Sequence, residues 1–196
     1  MNLPNKLTVS RFILTAAFLI VFFTAWRYHE TVALVLFCVA SLTDYFDGMI
    51  ARRDKLITNF GILMDPLADK VLVCSAFIAF VDRGWIPAWM AVIVVARELA
   101  ITGLRLVAAS KNLVLAAERF GKHKTISQIV VIIAALVKSS YVEWGPAGKA
   151  IFGWQLFGAA WVNWFTTVSL WLAVGLTFVS GTIYLWRNRE VYLSDM

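Results

Sequence analysis

Asp44 and Asp47, three positions apart, and Asp65 and Asp69, four positions apart, are the side chains of this sequence best spaced to do chemistry together. On helices those spacings put each pair on one face. The connection between the pairs, around Arg52-Arg53-Asp54-Lys55, is short, so two antiparallel neighbouring helices would aim both pairs into one cleft. The pairs stand against apolar sequence, and a carboxylate in a bilayer costs on the order of 2.5–3.5 kcal/mol. Four carboxylates that close repel and hold protons unless a divalent cation neutralises them. Hard oxygen donors suit Mg²⁺ or Mn²⁺ rather than a thiolate-preferring metal. The alternative is a helix pair joined by contacts between these aspartates and Arg52, Lys70 and Arg97, but two carboxylate pairs exceed what packing needs. The spacing therefore predicts a carboxylate metal centre.

Small residues surround it. Gly61, Asp65 and Asp69 recur at steps of four, and Gly48 and Ala51 accompany Asp44 and Asp47. Small residues let helices approach; beside a metal they also leave room for a flat ligand. Arg52, one turn beyond Gly48, would supply a fixed cation for a phosphate.

A second set of charges is cationic. Arg97 and Arg105 are eight residues apart in an apolar run, roughly on one helix face. Gly121-Lys122-His123-Lys124-Thr125 opens the next run, and Arg119, Lys122 and Lys124 suit a dianionic phosphate at a helix N-terminus. Lys122 and Lys124 would also satisfy the positive-inside rule. Glu98 either pairs with an arginine or orients the hydroxyls of a ligand, and His123 is an interfacial bystander.

The elements that must position these groups are apolar helices. Of 196 residues, 61% are hydrophobic and 15% charged, far from the roughly 45–50% and 25% of a soluble domain. A water-soluble core of this size could not hide so much apolar surface. Six runs, at residues 12–26, 31–50, 60–81, 87–109, 125–142 and 157–186, each approach the ~20 residues that cross a bilayer. Continuous apolar runs without alternation select helices over a barrel. Leu3-Pro4-Asn5-Lys6-Leu7-Thr8-Val9 reads as a short interfacial helix before the first span, and Gly145-Pro146-Ala147-Gly148 as a break between the last two. The expectation is an all-α integral membrane protein: six transmembrane helices, one short N-terminal interfacial helix, and a single domain over residues 1–196. The first run lacks an A-x-A-like cleavage site and reads as a retained anchor.

The net charge of +6 comes from lysines and arginines in the connections, which points to a membrane surface and not to nucleic acid. Most of these cations, among them Lys6, Arg52, Arg53, Lys55, Lys111, Lys122 and Arg187, fall on one side, which places both termini and the carboxylates on the cytoplasmic face. Cys38 and Cys74 lie inside apolar runs and read as small buried hydrophobes. Acids near the span ends, with no inverted repeat, argue against a divalent-cation transporter.

Taken together, Asp44, Asp47, Gly48, Ala51, Arg52, Gly61, Asp65 and Asp69 spell D-x2-D-G-x2-A-R-x8-G-x3-D-x3-D, which resembles the signature of the CDP-alcohol phosphatidyltransferase family with every spacing kept. The six-span layout is similar too. The resemblance implies that Asp44, Asp47 and Asp65 are metal ligands and that Asp69 is both a ligand and the general base. It implies two divalent ions, Mg²⁺ or Mn²⁺. It also implies that Gly48, Ala51, Arg52 and Gly61 bind the CDP moiety, with Asn5, Thr8 and Arg11 closing that pocket. Asn2-Leu3-Pro4-Asn5, Asp65-Pro66-Leu67-Ala68-Asp69-Lys70, Ala96-Arg97-Glu98 with Thr102-Gly103-Leu104-Arg105, and Gly121-Lys122-His123-Lys124-Thr125 resemble the phosphatidylglycerophosphate synthase branch of bacterial members. That branch implies CDP-diacylglycerol as donor and glycerol 3-phosphate as acceptor. It also implies a homodimer in the bacterial inner membrane, with the acceptor phosphate on Arg97, Arg105, Arg119, Lys122 and Lys124. Inositol phosphate or phosphatidylglycerol would be the acceptor in neighbouring branches. Asp69→Asn is expected to abolish CMP release while leaving partial Mn²⁺ binding to the folded protein, read by a CMP assay beside metal titration; unimpaired turnover would remove Asp69 as base.

Overall fold

In the interior of a bilayer every backbone amide and carbonyl must find its partner within the chain, which turns β-branched apolar runs such as Ile-Val-Val-Ile-Ile into helices despite their modest propensity. The computed structural model of the protein follows that rule. It describes residues 3–54, 59–111, 113, 115 and 120–193, and within these the side chains of residues 3–8, 44–54, 59–66, 69, 120–123 and 193 fall outside the description. The long helices are α1 (Leu3–Phe23), α2 (His29–Asp54), α3 (Asn59–Asp82), α4 (Ala88–Ser110), α5 (Phe120–Ser140) and, after the short α6 (Gly145–Phe152), α7 (Trp161–Arg187); α8 (Arg189–Leu193) follows.

Their packing closes a ring. α1 packs on α2, α2 on α5, α5 on α7, α7 on α4, α4 on α3, and α3 on α1, with α3 also touching α5 across the middle. Phe18, Phe22, Phe37, Phe77, Phe80, Met90, Val94, Ile132 and Leu136 fill the interior, all 2% exposed or less. The outside is no more polar. On α4, Met90, Val94, Glu98, Ile101, Leu104 and Ala108 are buried, whereas Val92, Leu99 and Leu106, one seventh-residue stripe, are about 60% exposed. A helix apolar on both faces needs lipid as its outer solvent. Residues Lys124–Phe152 and Trp161–Arg187 form two helices long and apolar enough to cross a membrane.

Three expectations are corrected in detail. The proposed interfacial helix is not separate, because α1 runs unbroken from Leu3 to Phe23. Pro4 stands at the second helical position, where its missing N–H removes no intrahelical bond, and no breaker follows it. The Gly145-Pro146 break is a bend rather than an end: a 3-10 turn over Tyr141–Trp144 passes through Gly145, at φ +69°, into α6. Finally, the last apolar run begins not as a helix but as a hairpin. Gln155–Leu156 (β1) pairs antiparallel with Ala159–Ala160 (β2) around Phe157 and Gly158, at φ +50° and +81°.

Polar contacts fasten the helix ends. Thr31 donates from its amide (3.1 Å) and its hydroxyl to Glu143 Oε2, and Trp144 Nε1 donates to Thr31 Oγ1 (2.9 Å), joining the start of α2 to the end of α5. Arg83 Nη2 donates to the Phe22 carbonyl (2.7 Å), tying the α3–α4 link to the end of α1. Inside the ring, Gln128 Nε2 donates to Thr177 Oγ1 (3.0 Å) between α5 and α7.

The hairpin tip generates a prediction. Two successive residues at positive φ favour Asn-Gly, and a bulky side chain at the first costs about 1–2 kcal/mol. Phe157 is 88% exposed, so its ring has little packing to lose. Phe157→Asn should raise the thermal unfolding midpoint of the detergent-purified protein.

Candidate active site

α2 carries Asp44, Asp47, Gly48, Ala51 and Arg52 over its last turns, and α3 carries Gly61, Asp65 and Asp69 over its first three. The two helices touch. Asn5 and Thr8 lie in the first turns of α1, which packs against both. The side chains of all these residues lie outside the described residues, as does Arg119 altogether, and so does the side chain of Lys122 in the first turn of α5. Pro66 falls between Asp65 and Asp69 inside α3 and has no amide to offer the Ile62 carbonyl one turn back.

The described part of the site is a charge cluster around the buried Glu98 on α3, α4 and α5. Lys70 follows Asp69 on α3, Arg97 and Glu98 lie midway along α4, and Lys124 lies near the start of α5. Glu98 is 3% exposed. Its Oε1 accepts from Lys124 Nζ and lies 3.4 Å from Arg97 Nη1, and its Oε2 lies 3.5 Å from Lys70 Nζ. One carboxylate thus gathers cations from three helices. Glu98 does pair with an arginine, as the sequence allowed, but the two lysines are additional. Lys70 and Arg97, weighed above as partners of the aspartates, both meet Glu98; the aspartate side chains lie outside the described residues. The signal that could have found this arrangement was Glu98 itself, an acid in the apolar run of α4 whose neutralisation had to come from neighbours in space.

Arg97 and Arg105 both reach toward α7, in keeping with their shared face. Arg97 lies over Gly181, where an added Cβ would come within 2.7 Å of the arginine Cγ. Among the described residues, Arg97 Nε has no hydrogen-bond partner. Arg105, largely exposed, donates from Nε to the Tyr184 hydroxyl (3.3 Å) with its guanidinium 5.7 Å from the ring centre. An apolar groove between α4 and α7, lined by Ile93, Ala100, Phe178 and Leu185, opens beside Arg97. Cations at the edge of an apolar groove are chemistry for an anionic amphiphile.

The comparisons with known proteins agree with that chemistry. Residues 1–179 match the CDP-alcohol phosphatidyltransferase family. The chain belongs to this family. It is 38% identical to a CDP-diacylglycerol–glycerol-3-phosphate 3-phosphatidyltransferase of Bacillus subtilis (strain 168), over 96% of each chain. It is 36% identical to a protein of the same name from Salmonella paratyphi A, over 77% of this chain and 85% of that one. A third of that name, from Rickettsia felis, is 30% identical over 97% of both. As a CDP-alcohol phosphatidyltransferase, the chain is a transferase of phospholipid synthesis and a membrane protein.

Gly181 gives this phosphatidyltransferase a testable joint. Gly181→Ala should cost about 1–3 kcal/mol by overpacking against Arg97, lowering the thermal midpoint. In an Arg97→Ala background that penalty should vanish, which a double-mutant cycle would read as coupling.

Proposed function

We propose that this enzyme transfers the phosphatidyl group of CDP-diacylglycerol to glycerol 3-phosphate, releasing CMP and forming phosphatidylglycerophosphate. The observation that carries the reading is similarity over 96% of both chains to a relative bearing that activity in its name. The buried cations on α3, α4 and α5 support a phosphorylated acceptor.

Asp44, Asp47, Asp65 and Asp69 would hold divalent metal. Their donor chemistry fits two Mg²⁺ or Mn²⁺ ions, and two touching helices carry them as an i, i+3 and an i, i+4 pair. Bound there, metal supplies neutralisation of the pyrophosphate and polarises the phosphorus. Arg52, with Gly48, Ala51 and Gly61 leaving room, holds the CDP moiety, and Asn5 and Thr8 close over it from α1. Asp69 takes the proton from the acceptor hydroxyl as its oxygen attacks the phosphorus that bears diacylglycerol. The bond to the bridging oxygen breaks, and CMP leaves with that oxygen. The reaction is a direct displacement, since no activated nucleophile stands out in the sequence. Arg97, Arg105, Arg119, Lys122 and Lys124 draw in the acceptor phosphate. The groove between α4 and α7 takes an acyl chain of the donor lipid.

Around this chemistry, residues 1–196 form one domain of six transmembrane helices in the bacterial cytoplasmic membrane. Both termini and the active site face the cytoplasm, and the protein works as a homodimer. The test is an acceptor panel on the purified protein. CDP-diacylglycerol with glycerol 3-phosphate should release CMP. Inositol phosphate and phosphatidylglycerol should not, and chelation should stop the reaction until Mg²⁺ or Mn²⁺ is restored. CMP release with another acceptor alone would move the enzyme to a different branch, and metal flux without CMP release would make it a transporter.

A further inference from the structure

We propose that Glu98 is the positioning residue of the acceptor site: it draws Lys70, Arg97 and Lys124 together into a cluster with two net positive charges, matched to the dianion of a phosphate monoester. The inference rests on the acceptor being phosphorylated, as proposed above.

Three features of the cluster lead there. The first is surplus. One cation would neutralise Glu98, yet three converge on it, leaving charge inside an apolar ring that packing alone does not call for. The second is division of labour between the two oxygens. Oε1 takes Lys124 and Arg97 while Oε2 faces Lys70 at 3.5 Å, so the carboxylate spaces the cations apart. The third is a gradient of access. The Lys124 side chain is 4% exposed, that of Arg97 13% and that of Lys70 27%, so the cluster opens at its Lys70 edge. Lys70 belongs to α3, the helix that also carries the proposed base. Glu98 itself touches neither reacting atom; it acts through the three cations.

The test uses full-length protein in mixed micelles, with CMP release measured against both substrates. Glu98→Gln keeps the shape and hydrogen-bonding capacity but removes the charge that holds the cations together. Its KM for glycerol 3-phosphate should rise by about tenfold or more, while kcat and the KM for CDP-diacylglycerol stay within about threefold. Inhibition by inorganic phosphate should weaken in parallel. Glu98→Asp keeps the charge on a shorter arm and should fall between, and it supplies the measurement if the glutamine variant does not fold. An unchanged KM for glycerol 3-phosphate in the folded variants, or a fall in kcat with both KM values fixed, would overturn the role. Should the wild type prefer a different phosphorylated alcohol, the acceptor assignment fails while the same comparison on that alcohol still judges Glu98. An acceptor without phosphate would overturn both.

Discussion

The constraint that governs this molecule is the cost of charge in an apolar interior. A buried ion pair broken by removal of one partner leaves an uncompensated charge and costs about 3–5 kcal/mol. Glu98 and its three cations are therefore bound to move together, and the helices that carry them are bound with them. α3, α4 and α5 are linked through that one carboxylate more tightly than their apolar contacts require. Elsewhere Gln128 on Thr177 joins α5 to α7 without importing charge.

The acids and the cations also divide along the chain. The carboxylate pairs belong to α2 and α3, and all the described acceptor cations except Lys70 belong to α4 and α5. Lys70 bridges the two sets, one residue from Asp69 and in contact with Glu98. Attraction of an anionic donor and an anionic acceptor to one place requires that neither set neutralise the other.

Much of this was legible in the residues. Apolar runs placed the long helices after α1 within about five residues of where they stand, because in lipid helical hydrogen bonding is the only local solution for the backbone. The helix positions of Asp44, Asp47, Asp65 and Asp69 followed from spacing alone, and the family followed from the same eight residues. What sequence could not show were long-range partners. Glu98 meets Lys124 across 26 positions, and Gly181 makes room for Arg97 from a helix much later in the chain; neither spacing leaves a periodic trace. The hairpin at Phe157 was missed because its residues are apolar and merge into the run of α7, with only Gly158 to mark the turn. The unbroken α1 was missed because Pro4 was read as opening a separate element, when a proline in a first turn is compatible with any length of helix after it.

The ring order carries a consequence for how such a protein is made. Going round it, α2, α1 and α3 form one continuous arc and α4, α7 and α5 the other, so each arc is an uninterrupted half of the polypeptide. The amino-terminal half can leave the translocon and assemble on α1 before any residue of the other half exists. Its acids then wait at an open flank until the later helices dock along two seams, α2 with α5 and α3 with α4. A ribosome stalled midway leaves behind a half-ring that lacks Arg97, Glu98 and Lys124.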